Sequence, residues 1–174
     1  MELQNIMKLK KAAISDFDEI FREMEKNFIY EEIRDRDAAL SVMSRKEYSV
    51  FHILDGDTKV GFITIWELDG FAFAEHFVIY EKYRNCGYGS RGMRLIQERF
   101  ERIILEVEHP EDEMKARRIG FYERLGFLQN DYPYIQPSYR KGGEGVPLIL
   151  MSYPKSLENC ENTASVLYKK VYNK

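Results

Sequence analysis

Cysteine is nearly missing from this chain of 174 residues: Cys86 and Cys160 stand far apart, in no metal or redox spacing. That excludes a disulfide framework and suits a reducing, cytoplasmic setting. Histidine is as scarce. His52, His76 and His109 share no ligand-like spacing, so no metal site is expected. No apolar run approaches the ~18 residues of a membrane span, and the N-terminus lacks the apolar core of a secretion leader. With a net charge of −3, nothing in the whole-chain balance calls for nucleic acid. Repeats and low-complexity tracts are also missing. What is present, 44% hydrophobic and 32% charged residues with 12 Tyr and 11 Phe, suits one soluble globular domain over 1–174 with a sizeable core.

Periodicity gives the elements. Ile6 to Ala12 reads as a strand, and Ser15 caps a helix whose apolar face is Phe17, Ile20, Phe21, Met24 and Phe28. Asp35 to Glu47 reads as a weaker helix. Tyr48–Leu54 and Lys59–Glu67 are strands joined by a hairpin turn at Asp55-Gly56-Asp57-Thr58. Asp69-Gly70 turns the chain into an apolar, aromatic strand, Phe71 to Tyr80. Arg102 to Glu108 and Val146 to Tyr153 are further strands. Residues 155–174 form a helical extension, with a helix over Glu158–Tyr172 that can dock on the sheet or on a second subunit, a possible homodimer.

The most informative segment is Arg84-Asn85-Cys86-Gly87-Tyr88-Gly89-Ser90. A buried strand precedes it, and Met93, Ile96 and Phe100 follow at helical spacing. Strand, glycine turn and helix therefore succeed one another. The first N–H groups of such a helix lack partners and lie at its positive end, so the turn can cradle an anion, most naturally a phosphate. Neither the G-x-G-x-x-G spacing of dinucleotide folds nor the G-K-[ST] ending of a P-loop is present. The plain alternative is a tight turn that starts a helix. Cys86 fills the loop without a base that would make it a nucleophile.

R-x-x-G-x-G after a strand resembles the acetyl-CoA pyrophosphate loop of the GNAT superfamily of N-acetyltransferases. A second segment strengthens the resemblance. Arg117 to Phe127 reads as a short helix closed by Gly126 and followed by a strand. Its Phe121-Tyr122-Glu123-Arg124-Leu125-Gly126-Phe127 is similar to the family segment F-Y-x-x-L-G-F, whose tyrosine is aimed at the CoA sulfur. The close resemblance covers about residues 58 to 128. It implies an α+β fold: a mixed, largely antiparallel sheet of about six to seven strands flanked by helices, with a splayed strand pair, between residues 79 and 103, for the acyl-CoA arm. It further implies acetyl-CoA as co-substrate and a small-molecule or protein amine as acceptor. The cofactor site would comprise Phe77, Val78, Ile79, Arg84, Asn85, Cys86, Gly87, Tyr88, Gly89 and Ser90. Lys115 and Arg118 stand where the family often has asparagine and alanine.

Acetyl transfer to an amine needs a held acyl carrier, a neutral amine, a donor to the oxyanion and a proton for the departing thiolate. The family resemblance places Val78 and Ile79 where backbone groups pair with the pantetheine arm and polarise the acetyl carbonyl. Tyr122 is expected to supply the proton, with core packing as the alternative. For the base, Glu75 comes first, because strand parity puts it on the face of Ile79. His76 falls on the other face, so only a bulge would bring both into the site. Glu106, on the next strand, is a further candidate, and Tyr132, Tyr134 and Tyr139 could border the acceptor. A GNAT-fold module that senses acyl-CoA without turnover is the reading from another class.

Overall fold

The computed structural model describes residues 6–174; the extreme N-terminus read above as leaderless includes residues 1–5, which lie outside the described residues. The chain runs β1 (Met7–Lys11), α1 (Phe17–Asn27), α2 (Arg36–Met43), β2 (Tyr48–Asp55), β3 (Thr58–Leu68) and β4 (Phe71–Ile79). It continues through α3 (Tyr88–Arg99), β5 (Ile103–Glu108), α4 (Glu113–Arg124), β6 (Leu128–Gln129), β7 (Tyr134–Gln136), β8 (Val146–Tyr153) and α5 (Cys160–Lys170). The strands form one mixed eight-stranded sheet in the order β1-β2-β3-β4-β5-β8-β6, with β7 also paired to β8. The count exceeds six to seven because two short strands, β6 and β7, each pair with the long β8.

Local chemistry sets most boundaries. Ser15 does not cap α1. It sits in a 3₁₀ turn, Ile14–Asp16, whose Asp16 carboxylate accepts the Ala13 N–H at 2.9 Å. The α1 stripe Phe17, Ile20, Phe21 and Met24 is buried as its spacing requires. Asp35 caps α2 through the Ala38 N–H at 2.9 Å, but α2 stops at Met43, where turn bonds from Arg45 to Val42 and from Tyr48 to Arg45 lead into β2. Asp112 caps α4, which begins four residues before the helix expected from Arg117. Gly126, at φ +90°, ends it in the left-handed conformation that glycine takes without a Cβ clash.

Helices cover both faces of the sheet. On one, Met93 and Ile96 of α3 and Ile119 of α4 pack on Phe51, Ile63, Ile65, Leu105 and Met151. On the other, Ile20, Met24 and Val42 of α1 and α2, with Ala164 and Leu167 of α5, pack on Val50, Phe62, Trp66, Phe73 and Ile104. The C-terminal helix thus docks on its own sheet. Burying the fully enclosed Leu167 contributes about 2 kcal/mol.

Two irregularities in β4 matter for the site. The first is a bulge. Ile63 pairs with Phe77 and Ile65 with Ala74, so two steps on β3 match three on β4. The Thr64 hydroxyl accepts the His76 N–H there at 2.9 Å. Side-chain alternation therefore slips. Phe73 and Val78 share the α1/α2/α5 face, while Ala72, Ala74 and Phe77 share the other. The second is the parting of β4 from β5, the one parallel pair, after three residue pairs, Ala72–Ile103 to Ala74–Leu105.

Candidate active site

Beyond Ala74 and Leu105, Glu75–Ile79 and Glu106–Glu108 lose each other as partners. β3 still holds the far side of β4, and β8 the far side of β5. Apart from the Ile79 carbonyl, which accepts from Arg84 at 3.1 Å, the backbone groups that face the gap have no strand partner there and can pair with an extended ligand. Phe77, Val78 and Ile79 line its β4 edge. The opening lies at the 79 and 108 ends, and the strands close together at Ile103. Opposite Ile79, Gly61 is required by close approach: a Cβ there would stand 2.1 Å from the Val78 carbonyl.

The glycine turn opens onto the end of β4. Gly87 has φ +79° and Asn85 φ +60°, and the Gly87 carbonyl accepts the Arg91 N–H at 3.2 Å as the first bond of α3. The N–H groups of Tyr88, Gly89 and Ser90 come before that bond and point out of the helix. Side chains of the turn point elsewhere. Arg84 donates to the Ile79 carbonyl at 3.1 Å and to Asn27, the Cys86 thiol approaches the Arg84 carbonyl at 3.3 Å, and the Tyr88 hydroxyl donates to Asp55 at 2.7 Å. The turn offers backbone donors, as an anion cradle needs. Its conformational demand falls on Gly87, since a Cβ at Gly89 would meet the Phe121 ring at an ordinary 3.4 Å.

Across the gap lies a buried polar cluster, and here the parity expectation is corrected. The bulge turns Glu75 to the α1/α2/α5 face, away from Ile79, and brings His76 to the same face. Glu75 is 1% exposed and accepts from Arg34 at 2.8 Å, Trp66 Nε1 at 3.0 Å and the Tyr139 hydroxyl at 3.0 Å. Burial pushes its pKa up, but the Arg34 and His76 charges and these donors overcome it, holding the carboxyl below the usual range. Burial lowers the pKa of His76, whose Nε2 lies 3.0 Å from the Glu32 carbonyl.

Glu106 is the first β5 residue past the parting, and on the same face. Its carboxyl receives the Tyr172 hydroxyl at 2.9 and 2.8 Å, Gln136 Nε2 at 2.6 Å and the Tyr134 hydroxyl. These donors are all neutral. Burial pushes its pKa up to about 7, the donors oppose the shift and the Glu75 charge adds to it. The Tyr139 and Tyr172 rings, 5.3 Å apart, connect the two carboxylates. Among the tyrosines read as bordering the acceptor, Tyr134 and Tyr139 belong to this cluster, whereas Tyr132 packs against the core.

Tyr122 lies on the opposite face, on α4, half-buried between Phe121 and Phe127 at 5.1 and 5.6 Å between ring centroids. Burial pushes its phenol up to about 12, with only the Arg118 charge opposing. It therefore stays protonated at every physiological pH. Lys115 reaches Glu111 at 3.1 Å and Glu108 at 3.6 Å, tying the start of α4 to the open end of β5. Among the described residues, no group of His, Cys, Asp and Glu could hold a metal ion. Nor is any described helix long and apolar enough to cross a membrane.

Arg34, Trp66, Gln136 and Tyr172 were not singled out by sequence reasoning. Arg34 sits in a charged stretch between two helices, and Tyr172 ends an amphipathic pattern. Neither position carries a local signal of its partner.

Comparison with known proteins agrees with this architecture. The Acetyltransferase (GNAT) family profile matches residues 11–127. A GNAT-family protein from Bacteroides thetaiotaomicron is similar over 96% of this chain and 99% of its own, at 32% identity and a TM-score of 0.89. The ribosomal-protein-S18-alanine N-acetyltransferase of Escherichia coli shares the fold at 16% identity and a TM-score of 0.63, over 90% of this chain and 98% of that one. Arabidopsis thaliana NAA60 in complex with acetyl-CoA does so at 13% identity and a TM-score of 0.60, over 85% and 98%. A search of curated proteins found no match. With a family match over well over half its length, and a glycine turn beside a parted strand pair, the chain belongs to the GNAT family of acetyltransferases, which take the acetyl group from acetyl-CoA.

Proposed function

We propose that this protein is an N-acetyltransferase for a primary amine, with Glu106 as the general base and Tyr122 as the general acid. The observation that carries this reading is the Glu106 carboxyl, with a pKa of about 7, at the point where β4 and β5 part. A base works best when its pKa lies near the operating pH. Glu106 would take a proton from the acceptor ammonium, freeing the amine to attack the thioester carbonyl. Backbone N–H groups of β4 near Val78 and Ile79 would stabilise the oxyanion, and one such donor is worth about 3 kcal/mol of barrier. As the C–S bond breaks, the Tyr122 hydroxyl would give its proton to the thiolate. The turn from Arg84 to Ser90 would hold the pyrophosphate through its N–H groups.

Glu75 takes a different part. A carboxylate held ionised by Arg34 is a weak proton acceptor, so Glu75 orders Arg34 and Tyr139 beside the acceptor. Two carboxylates and several aromatic rings on this face favour a cationic acceptor, small or at a protein terminus. Two free cysteines suit a cytoplasmic setting, and residues 1–174 act as one domain.

Titration with acetyl-CoA, followed by thiol release across a panel of amines, tests the reading. Binding without thiol release for any amine would favour a sensor over an enzyme. Tyr122→Phe keeps the ring and loses only the donor. Its kcat should fall about 10²-fold with little change in acetyl-CoA affinity, as for an interaction made chiefly in the transition state.

A further inference from the structure

The three side chains that donate to Glu106, Tyr134, Gln136 and Tyr172, all lie beyond residue 127, where the family match ends. The residue with the base's role thus sits inside the shared region, and its immediate surroundings come from this chain's C-terminal third. Tyr172 stands out among them. Its hydroxyl reaches both carboxyl oxygens, at 2.9 and 2.8 Å, and is itself 3.1 Å from Gln136 Nε2, a second bond that fixes its direction.

The chain around Tyr172 is held as a positioned residue requires. Tyr172 is 7% exposed, and its N–H bonds the Leu167 carbonyl at 3.2 Å. Arg34 donates to the Val171 carbonyl at 3.0 Å, a cation at the negative end of α5. The same guanidinium grips Glu75 at 2.8 Å. Buried Ala164, Leu167 and Val171 fasten the helix to the sheet behind it.

We propose that Tyr172 is a positioning residue for Glu106, so that α5 completes the acceptor side of the active site by fixing the carboxylate that receives the proton. The inference rests on Glu106 being the base. Facing Glu106 are Tyr134 and Gln136 of β7, Tyr139 of the β7–β8 loop, Tyr168 and Tyr172 of the α5 segment, and Glu75 of β4 with its partner Arg34. Of these, Tyr134, Tyr172 and Gln136 donate to the ionised form, and removal of the Tyr172 hydroxyl leaves burial and the Glu75 charge less opposed. The carboxyl must then hold its proton to higher pH.

Tyr172→Phe keeps the ring and its packing against Tyr139. Two measurements compare it with the wild type: the pH profile of kcat/KM, and the titration of the Glu106 side-chain carbon by NMR on ¹³C-glutamate-labelled protein. The acidic limb and the carbon titration should both move up by about one pH unit. A carbon titration that does not move overturns the role given to Tyr172, whatever the kinetics. A titration that moves while the kinetic limb stays fixed supports the contact and faults Glu106 as base, as would full turnover in Glu106→Gln.

Discussion

Glu75 and Glu106 stand on neighbouring strands, on one face of the sheet and at one opening, the Glu75 side chain buried and Glu106 half-buried. They differ in what donates to them. Glu75 has a guanidinium at 2.8 Å, so its carboxylate is kept charged. Glu106 has two phenols and an amide, which offset only part of the cost of burial, and its pKa rises to about 7. Burial alone therefore does not make a carboxyl basic. A single charged donor among the neighbours decides between a structural anion and a group that can exchange a proton.

The strongest way to break the contrast is to neutralise each carboxyl in turn. Glu106→Gln should lower kcat about 10²–10⁴-fold, the usual cost of losing a general base. Glu75→Gln should leave kcat within about tenfold of the wild type on the same scale, with steady-state thiol release as the measurement. Equal losses would erase the distinction.

Arg34→Met sharpens the comparison from the other side. It strands the Glu75 charge in a buried site, so unfolding in urea should show a loss of about 3–5 kcal/mol. Adding Glu75→Gln to that variant should restore part of the loss, because no buried charge is then left alone. Additive losses would mean that the two side chains do not depend on each other.

The smallest effect is on stability against pH, and its sign differs between the two carboxyls. Glu75 has a folded pKa below its ordinary value, so it contributes stability above about pH 4.5 that is lost as pH falls through the folded pKa. Glu106 has a folded pKa raised to about 7, so the folded state holds a proton that the unfolded state releases between about pH 4.5 and 7. Its contribution is full below pH 4.5 and is lost as pH rises to 7. Denaturation midpoints from pH 4 to 8 should show the wild type losing ground to Glu106→Gln as pH rises through that window. Parallel curves would place the Glu106 pKa near its ordinary value.

Local chemistry made much of the fold readable. The Asp55–Thr58 hairpin, the glycine turn before α3 and Gly126 at the end of α4 depend on residues within a few positions of one another, and each stands where its turn chemistry puts it. The β4 bulge was not readable. It depends on the Thr64 hydroxyl meeting the His76 N–H across two strands, and with it went the parity argument for Glu75. Partners of the carboxylates were hidden for a related reason. Arg34 meets Glu75 and Tyr172 meets Glu106 only after α1, α2 and α5 have packed on one face, and no spacing in the chain encodes such a meeting. Glu106 was visible as a candidate, but the neighbours that set its character were not.

The parting of β4 from β5 has a cost for the empty protein. A sheet normally shows two raw edges, and this one shows four, because each parted strand turns backbone amides and carbonyls that lack a strand partner toward the gap. Such rows can template pairing with other chains. In this molecule they flank one opening, the bulge interrupts the alternation of one of them, and a pantetheine arm lying between would blunt both at once. A protein starved of its acyl donor should accordingly be the form most prone to clump on storage.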